Sequence, residues 1–241
     1  MQPKIRRATL ADIDAICAVK RSLMIAPGIP ALHGGGFLLG SSPDRYAFYV
    51  EQAHVSLLEA DGRLLGFAIT LPDPLLRQSE LWARAERIDW QSDPSGRPGL
   101  DLAAILSSRI GYFEQLALLR IDNLRIYAPA FALAAALELA DSGHRHIFLT
   151  VVSAPWPNLA PLPFLRILGA QRVGRIAEEY PEVGAITSDI YHLDTQTWTY
   201  GVGPANPLHP LRERIRKTVS ALQRSPSAAE PPRDDAHFPS T

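Results

Sequence analysis

Two side chains that could do proton chemistry lie on one short stretch of the chain, residues 112–119. This stretch reads as a buried strand, and residues two apart in a strand point to the same face. Tyr112 and Glu114 therefore share a face, which would also carry Leu116 and Leu118. A carboxylate held on such a strand can act as a general base, so Glu114 is a candidate catalytic residue. Tyr112 is the second candidate, because it lies on the same face as Glu114.

A structural role for Glu114 is equally open on the sequence. Arg109 precedes the strand and Arg120 follows it, so either arginine could form an ion pair with this carboxylate near a strand end. Residue types and spacing alone do not separate the ion pair from the catalytic role.

The strand leads through a short basic connection into an alanine-rich segment, residues 129–140, which predicts a helix. A helix leaves its first backbone N–H groups without partners, so a strand that feeds a helix creates an anion site. Pro129 suits the first helical turn but donates no N–H group. The sequence therefore predicts an anion site at this junction, with an ordinary strand-to-helix turn as the alternative.

Composition and charge exclude several classes of function. The chain has 241 residues, of which 46% are hydrophobic and 20% charged, and its net charge is -1. That charge offers no attraction for nucleic acid or a membrane surface, so we expect neither as a partner. No stretch approaches the ~20 apolar residues of a membrane span, and the N-terminus lacks the apolar core of a signal peptide. We therefore expect a cytoplasmic protein.

The sequence predicts no metal site. Its one cysteine, Cys17, excludes both an intramolecular disulfide and a cysteine cluster. His144 and His146 flank Arg145 ahead of a predicted strand, but metal ligation needs more convergent ligands. A helix C-terminus favours cationic side chains, so we expect the two histidines to be solvated partners of the helix dipole.

Hydrophobic periodicity and turn residues predict an alternating order of strands and helices. The dipeptide Asp61-Gly62 between two alternating runs is the strongest local signal, because it favours a tight hairpin. The predicted strands span residues 4–8, 55–59, 64–69, 112–119, 146–152, 172–180 and 185–193. The predicted helices span residues 13–23, 42–52, 129–140, 162–168 and 208–222.

The chain is predicted to form one domain over residues 1–200, with an insert at 71–108 between the third and fourth strands. Residues 201–241 are predicted to hold a C-terminal helix and a disordered, proline-bearing tail. Trp198 and Tyr200, at a strand end, are candidates for a homodimer contact.

This order of elements resembles the GCN5-related N-acetyltransferase (GNAT) superfamily over residues 4–195. Residues 5–13 (IRRATLADI) are similar to the first strand and helix of that family, and residues 112–118 (YFEQLAL) are similar to its fourth strand. The resemblance implies a mixed α/β, α+β-like fold with helices on both faces of the sheet. It also implies that the mostly antiparallel central sheet splays between its fourth and fifth strands.

In that family, the fourth strand supplies N–H groups that polarise the thioester carbonyl of acetyl-CoA. It leads into a loop of pattern Arg/Gln-x-x-Gly-x-Gly/Ala, whose amides hold the CoA pyrophosphate. The best match is 125–130 (RIYAPA), where the Cβ of Ala128 replaces the central glycine and crowds the phosphate. The residues implied to bind acetyl-CoA lie at the strand end and in this loop: Leu118, Leu119, Arg120, Arg125, Ile126, Tyr127, Ala128 and Ala130.

The entry to the next helix is a second region implied to hold the donor. The family often has an asparagine there that binds the pantetheine arm, and Asn158 and Phe164 are the matching positions. The alternative for Asn158 is a helix N-cap, which asparagine fills well. Leu165 stands where many relatives carry a tyrosine that protonates the leaving thiolate, so the general acid stays open between Tyr127, Tyr180 and solvent.

The glycine-rich segment after the first helix offers acceptor-site candidates. Residues 33–36 (HGGG) are similar to the oxyanion loop of lipase-like hydrolases, but the Gly-x-Ser-x-Gly elbow of those enzymes is missing from the chain. In the acetyltransferase layout this loop borders the acceptor, which implies His33, Phe37 and Leu38 as substrate-binding residues. A plain surface loop is an equal alternative for His33.

The resemblance implies an acyl-CoA-dependent N-acyltransferase, with acetyl-CoA as donor and no metal. Its acceptor would be the amine of a small molecule, attacking directly in a ternary complex. The alternative is a catalytically degenerate relative that acts as a ligand-binding or protein-interaction module. Ala128, Pro129 and Leu165 favour that alternative because they depart from the pattern of the family.

Overall fold

The computed structural model describes residues 3–25, 35–90, 100–121, 124–180, 183–196 and 208–224. Three expectations fall outside these residues. They concern the acceptor role of His33, the homodimer contact at Trp198 and Tyr200, and the tail beyond residue 224.

Eight strands form one sheet in the order β1-β2-β3-β5-β6-β8-β7-β4. The strands are β1 (Lys4–Arg7), β2 (His54–Ala60), β3 (Arg63–Leu71), β4 (Asp89–Trp90), β5 (Ile110–Leu118), β6 (His146–Ala154), β7 (Gln171–Tyr180) and β8 (Gly184–Asp194). Neighbouring strands are antiparallel except β5 and β6, which are parallel. The predicted mixed α/β class with a mostly antiparallel sheet is confirmed.

Eight α-helices accompany the sheet in the described part of the chain. They are α1 (Ile13–Ser22), α2 (Pro43–Gln52), α3 (Asp73–Arg77), α4 (Glu80–Ala83), α5 (Leu102–Ser107), α6 (Ala128–Asp141), α7 (Leu162–Leu168) and α8 (His209–Arg224). Local sequence explains where α2 begins. The hydroxyl of Ser42 accepts from Arg45 N at 3.3 Å and caps α2, while Pro43 occupies the first helical position.

Helices cover both faces of the sheet. The face that we call the α1 face is covered by α1, α2 and the insert helices α3, α4 and α5. The opposite face, which we call the α6 face, is covered by α6, α7 and α8. Each face therefore buries its own apolar core against the sheet.

The sheet splits between β5 and β6. Both strands have nine residues, but they pair only at Ile110–His146, Gly111–Ile147 and Tyr112–Phe148. Beyond the last pair the two strands separate. The predicted splay between the fourth and fifth strands is confirmed, and these strands are β5 and β6 because the insert adds the short strand β4.

A β-bulge in β5 changes which residues share a face. On β3, Ile69 pairs with Gln115 and Thr70 with Phe113, so Glu114 is the extra residue. A bulge shifts the alternation of side chains by one position. Tyr112 and Glu114 share a face, as predicted, and it is the α1 face. The prediction that Leu116 and Leu118 share their face is wrong, because the bulge turns both leucines to the α6 face.

The insert is anchored as a cover over the α1 face. Asp73 Oδ1 accepts from Ile110 N at the start of β5 at 3.0 Å, and Arg77 Nε donates to the same carboxylate at 2.9 Å. Farther along, Arg84 Nη1 lies 2.8 Å from Glu178 Oε1 on β7. These contacts tie both ends of the α3–α4 segment to strands on opposite sides of the split.

The histidines before and within β6 make specific contacts within the fold, which corrects the prediction that both are solvated partners of the helix dipole. His144 is buried, and its Nε2 accepts from Asp73 N at 3.0 Å. His146 Nδ1 lies 3.0 Å from Nε2 of the buried His192 on β8. Burial lowers the pKa of His192 to about 4, and the charge of His146 lowers it further.

Replacing His192 with glutamine should weaken the acid sensitivity of the fold. Between pH 6.5 and 4 the unfolded chain binds a proton at His192 that the folded chain does not bind, so stability falls as the pH drops through this window. When the pH is lowered from 6.5 to 4, the unfolding free energy of the wild-type chain should fall by about 3 kcal/mol more than that of the variant. Urea unfolding at both ends of the window measures this difference, and parallel losses in the two proteins would contradict it.

Candidate functional site

Backbone N–H groups of β5 point into the split. Leu119 N donates to Leu65 O on β3 at 2.8 Å. Because N–H groups alternate in direction along a strand, those of Leu116 and Leu118 point away from β3 and toward β6. Both lie beyond Tyr112, where the pairing with β6 ends. The split is therefore lined by two donors that the β5–β6 ladder does not use.

The hydrogen-bonding pattern of β5 corrects the prediction for Leu119 and adds Leu116 to the candidate donors. The N–H group of Leu119 is committed to β3, so the prediction that it polarises a ligand carbonyl is wrong. The N–H group of Leu118 is directed as that role requires. Leu116, which sequence reasoning missed, offers a second donor. The missing information was the bulge, because it decides which N–H groups face β3.

The start of α6 lies just after β5 in the chain. A 3₁₀ turn at Leu124–Ile126 precedes it, and Tyr127 N donates to Leu124 O at 2.9 Å. The amide of Tyr127 is thus engaged, which corrects its prediction as an amide donor to a phosphate. No side chain caps the helix, so the N–H groups of Ala128 and Ala130 have no acceptor within it.

The other predicted residues near this junction have different surroundings. Arg120 Nη2 donates to Gly35 O at 2.8 Å, which ties the end of β5 to the loop before α2. Ile126 is 67% exposed beside the helix start. The side chain of Arg125 lies outside the described part of the structure.

Glu114 contacts a tyrosine on α2. Tyr49 Oη donates to Glu114 Oε1 at 3.0 Å, and Arg45 Nε donates to Tyr49 Oη at 3.0 Å. Burial and the charge of Glu114 raise the pKa of Tyr49 to about 12. Among the described residues, neither Arg109 nor Arg120 lies within ion-pair distance of Glu114, so the alternative of a surface ion pair is wrong.

Gln115, the next residue, is held from α1 and α2. Lys20 Nζ and Tyr46 Oη both donate to Gln115 Oε1 at 3.3 Å. Lys20 is only 5% exposed, and burial lowers its pKa to about 8 against the opposing effect of Glu114. The ammonium group lies 3.8 Å from the centre of the Phe37 ring.

We call this group the polar cluster: Lys20, Arg45, Tyr46, Tyr49, Glu114 and Gln115. Sequence reasoning found only Glu114. A signal for Lys20 was present, because it stands four residues after Ile16 and three before Leu23, on the apolar face of its helix. The two tyrosines carry no comparable signal.

The described part of the predicted acceptor loop lies beside α1. Phe37 N donates to Leu23 O at 3.1 Å, and Ile25 N donates to Phe37 O at 3.0 Å. Phe37 thereby reaches the polar cluster through Lys20. Leu38 is half-buried next to it in the chain.

Tyr112 lies at the vertex of the split, where the two strands part. Its hydroxyl lies 2.7 Å from Thr150 Oγ1 on β6, so the pair bridges the strands just beyond their last ladder position. Burial, and then the charge of Glu114, raise the pKa of Tyr112. Tyr112 also forms part of the wall of a cavity of about 50 Å³.

Asn158, which was predicted to bind the pantetheine arm or to cap a helix, makes local contacts before α7. Asn158 N donates to Val152 O at 2.8 Å, and its Oδ1 accepts from Ala160 N at 3.3 Å. Pro161, not Asn158, precedes the first residue of α7, so the helix-cap alternative is wrong. The local contact to Ala160 replaces it.

Leu165 and Phe164 both serve packing. Leu165 is buried in α7, and Phe164 packs half-buried against the core of the α6 face. Of the two alternative acids, Tyr180 Oη donates to Glu178 Oε1 at 3.3 Å, and Tyr127 packs against the α6 core.

Metal ligands and membrane-spanning helices are features that other classes of site would need. Among the described residues, no three side chains of His, Cys, Asp or Glu converge as metal ligands would. None of the helices in the described part of the chain is both long and apolar enough to cross a membrane.

A double-mutant cycle tests the link between α2 and β5. Tyr49→Phe and Glu114→Ala should show a coupling energy of about 2 kcal/mol, because a hydrogen bond to a half-buried carboxylate is lost once, not twice. Tyr46→Phe with Glu114→Ala is the matched control and should couple weakly, because Tyr46 donates to Gln115. Urea unfolding measures all variants. Equal coupling in the two cycles would count against the specific Tyr49 contact.

Comparison with known proteins gives a result from structure but not from sequence. No protein-family model matches the chain, and no curated protein matches it either. An N-acetyltransferase from Staphylococcus aureus superposes with a TM-score of 0.50 at 15% identity, over 80% of this chain and 99% of that one.

Two ribosomal-protein-alanine N-acetyltransferases give the same result. The Brucella melitensis protein has a TM-score of 0.50 at 13% identity, over 79% of this chain and 98% of its own. The Escherichia coli protein has a TM-score of 0.50 at 15% identity, over 80% and 93%. At such identities the likeness concerns the fold. This chain has the fold of the GNAT N-acetyltransferases.

Proposed function

We propose that this protein is an acyl-CoA-dependent N-acyltransferase that transfers a short acyl group, acetyl in the simplest case, to the amine of a small molecule. The observation that carries the proposal is the split between β5 and β6, with N–H groups of Leu116 and Leu118 directed into it. Transfer is direct, within a complex that holds donor and acceptor together.

The donor fits the split and the helix start that follows it. The N–H groups of Leu116 and Leu118 would hold the thioester and the pantetheine arm, and those of Ala128 and Ala130 would hold the pyrophosphate. Pro129 reduces the number of donors at this helix start, and the Cβ of Ala128 narrows the approach. When bound, acyl-CoA supplies the activated acyl group.

The acceptor amine is served by the polar cluster. Glu114 lies on the α1 side, where the bulge places Gln115 beside it, and it is oriented by Tyr49, which is itself held by Arg45. A carboxylate oriented in this way can take the proton that the amine loses as it is acylated. Leu165 is buried and has no proton to give, so the leaving thiolate is protonated from elsewhere.

CoA and acetyl-CoA should raise the melting temperature. A ligand at ~100 times its Kd adds roughly 2.7 kcal/mol to the folded state. Leu118→Pro should abolish the shift, because proline removes an N–H group that points into the split while sparing the ladder to β3. Leu118→Ala, which keeps the N–H group, should retain it. No shift with the wild-type chain at millimolar ligand would favour a binding module for another ligand.

Glu114→Gln should lower kcat by roughly 100-fold or more while leaving CoA binding intact, because the amide cannot accept the proton. Free thiol released in the presence of an amine panel measures the rate. Glu51→Gln is the matched control, since Glu51 is an exposed carboxylate on α2. Undiminished kcat in the Glu114 variant would exclude its role as the base.

A further inference from the structure

An apolar cavity lies where the insert covers the sheet. Its volume is about 50 Å³. The floor comes from four neighbouring strands, β5, β6, β8 and β7, through Ile110, Tyr112, Phe148, Thr150, Ile176 and Ile190. The roof comes from the insert, through Leu76, Leu81, Trp82, Ala85, Ile88, Trp90 and Leu106.

The cavity stands over the vertex of the split. Tyr112 and Phe148 are the last residue pair that joins β5 to β6, and both belong to the floor. The N-terminus of α6 follows the other end of β5, past Leu118. A linear donor with its phosphates at that helix start and its thioester near Leu116 therefore directs its acyl end toward the vertex and the cavity.

The walls suit hydrocarbon and nothing more polar. The floor has two hydroxyl groups, on Tyr112 and Thr150, and these bond each other at 2.7 Å. A charged amine placed here would lose its water without gaining a charged partner in return. A hydrocarbon chain would gain the free energy of leaving water and of filling the space.

We infer that this cavity is the subsite for the hydrocarbon tail of an acyl group longer than acetyl, and that propionyl and butyryl groups are the donors it fits. The inference rests on the proposed function and names its donor class. The cavity has a volume of about 50 Å³, on a scale where roughly 10–15 Å³ is enough for one water molecule, so it has room for the two extra carbon groups of a butyryl chain. The roof keeps this size because Arg84–Glu178 and Asp73–Ile110 hold it on both sides.

The experiment measures calorimetric Kd values of the full chain for CoA, acetyl-CoA, propionyl-CoA and butyryl-CoA. Each buried methylene should tighten binding about fourfold, so butyryl-CoA should bind roughly 15-fold more tightly than acetyl-CoA. CoA itself reports on the donor site, whereas the trend with chain length reports on the cavity.

Variants of the roof test the location. Ala85→Leu fills the cavity and should abolish the preference for butyryl-CoA, with the Kd values for CoA and acetyl-CoA unchanged. Ala83→Leu is the matched control, because Ala83 is exposed two residues away and is not part of the cavity wall, and it should keep the preference. Leu106→Ala enlarges the cavity and should move the tightest binding to a longer chain, which tests the location even if Ala85→Leu fails to fold.

The outcomes separate this inference from the proposed function. If CoA binds and chain length has no effect, the cavity is not the acyl subsite, while the acyltransferase proposal stands. If both Ala85→Leu and Leu106→Ala keep the preference for butyryl-CoA, the tail binds elsewhere and the inference is overturned. If no CoA species binds, both proposals fall.

Discussion

The arrangement of the candidate site depends on one extra residue in one strand. β5 must pack leucines against α6 on one face and yet present polar side chains to α1 and α2 on the other. The bulge at Glu114 meets both demands, because it places Glu114 and Gln115 on the same side and then restores alternation for Leu116 and Leu118. It also fixes which N–H groups face the split. Carboxylate, donors and packing are thus set by a single shift of register.

Polar groups beside the split are buried at a cost that their neighbours offset. Tyr46 and Tyr49 donate to the Gln115 amide and the Glu114 carboxylate, and Lys20 adds a second donor and an aromatic contact. The walls of the neighbouring cavity consist almost entirely of hydrocarbon groups. The polar cluster and the apolar cavity therefore lie on the same face of the sheet, with Tyr112 between them.

Turns, strands and helices that depend on residues close together in the chain were predicted correctly. The hairpin at Asp61-Gly62 forms as expected, with φ of 51° and 74° at the two residues. The predicted strands and helices follow one another as expected, while the insert adds α3, α4, β4 and α5, which were not predicted. The failures concern register and tertiary contact. Alternation from residue 112 to residue 118 gave no sign of the bulge, so Leu116 and Leu118 went to the wrong face. Nothing near His144 in the sequence indicates that Asp73, far away in the chain, donates to it.

The three residue pairs that join β5 to β6 have a mechanical consequence. On one side, β1, β2, β3 and β5 are paired along their lengths, and on the other β6, β8 and β7 are paired likewise. The sheet therefore consists of two halves, each with extensive strand pairing, and three residue pairs of β5 and β6 join them at the vertex. A load that bends the sheet would be borne by these three pairs and by the α3–α4 segment, which contacts β5 and β7 on opposite sides of the split. A ligand bound in the split would contact both halves of the sheet, so we expect its binding to stiffen the whole domain and not merely its own site.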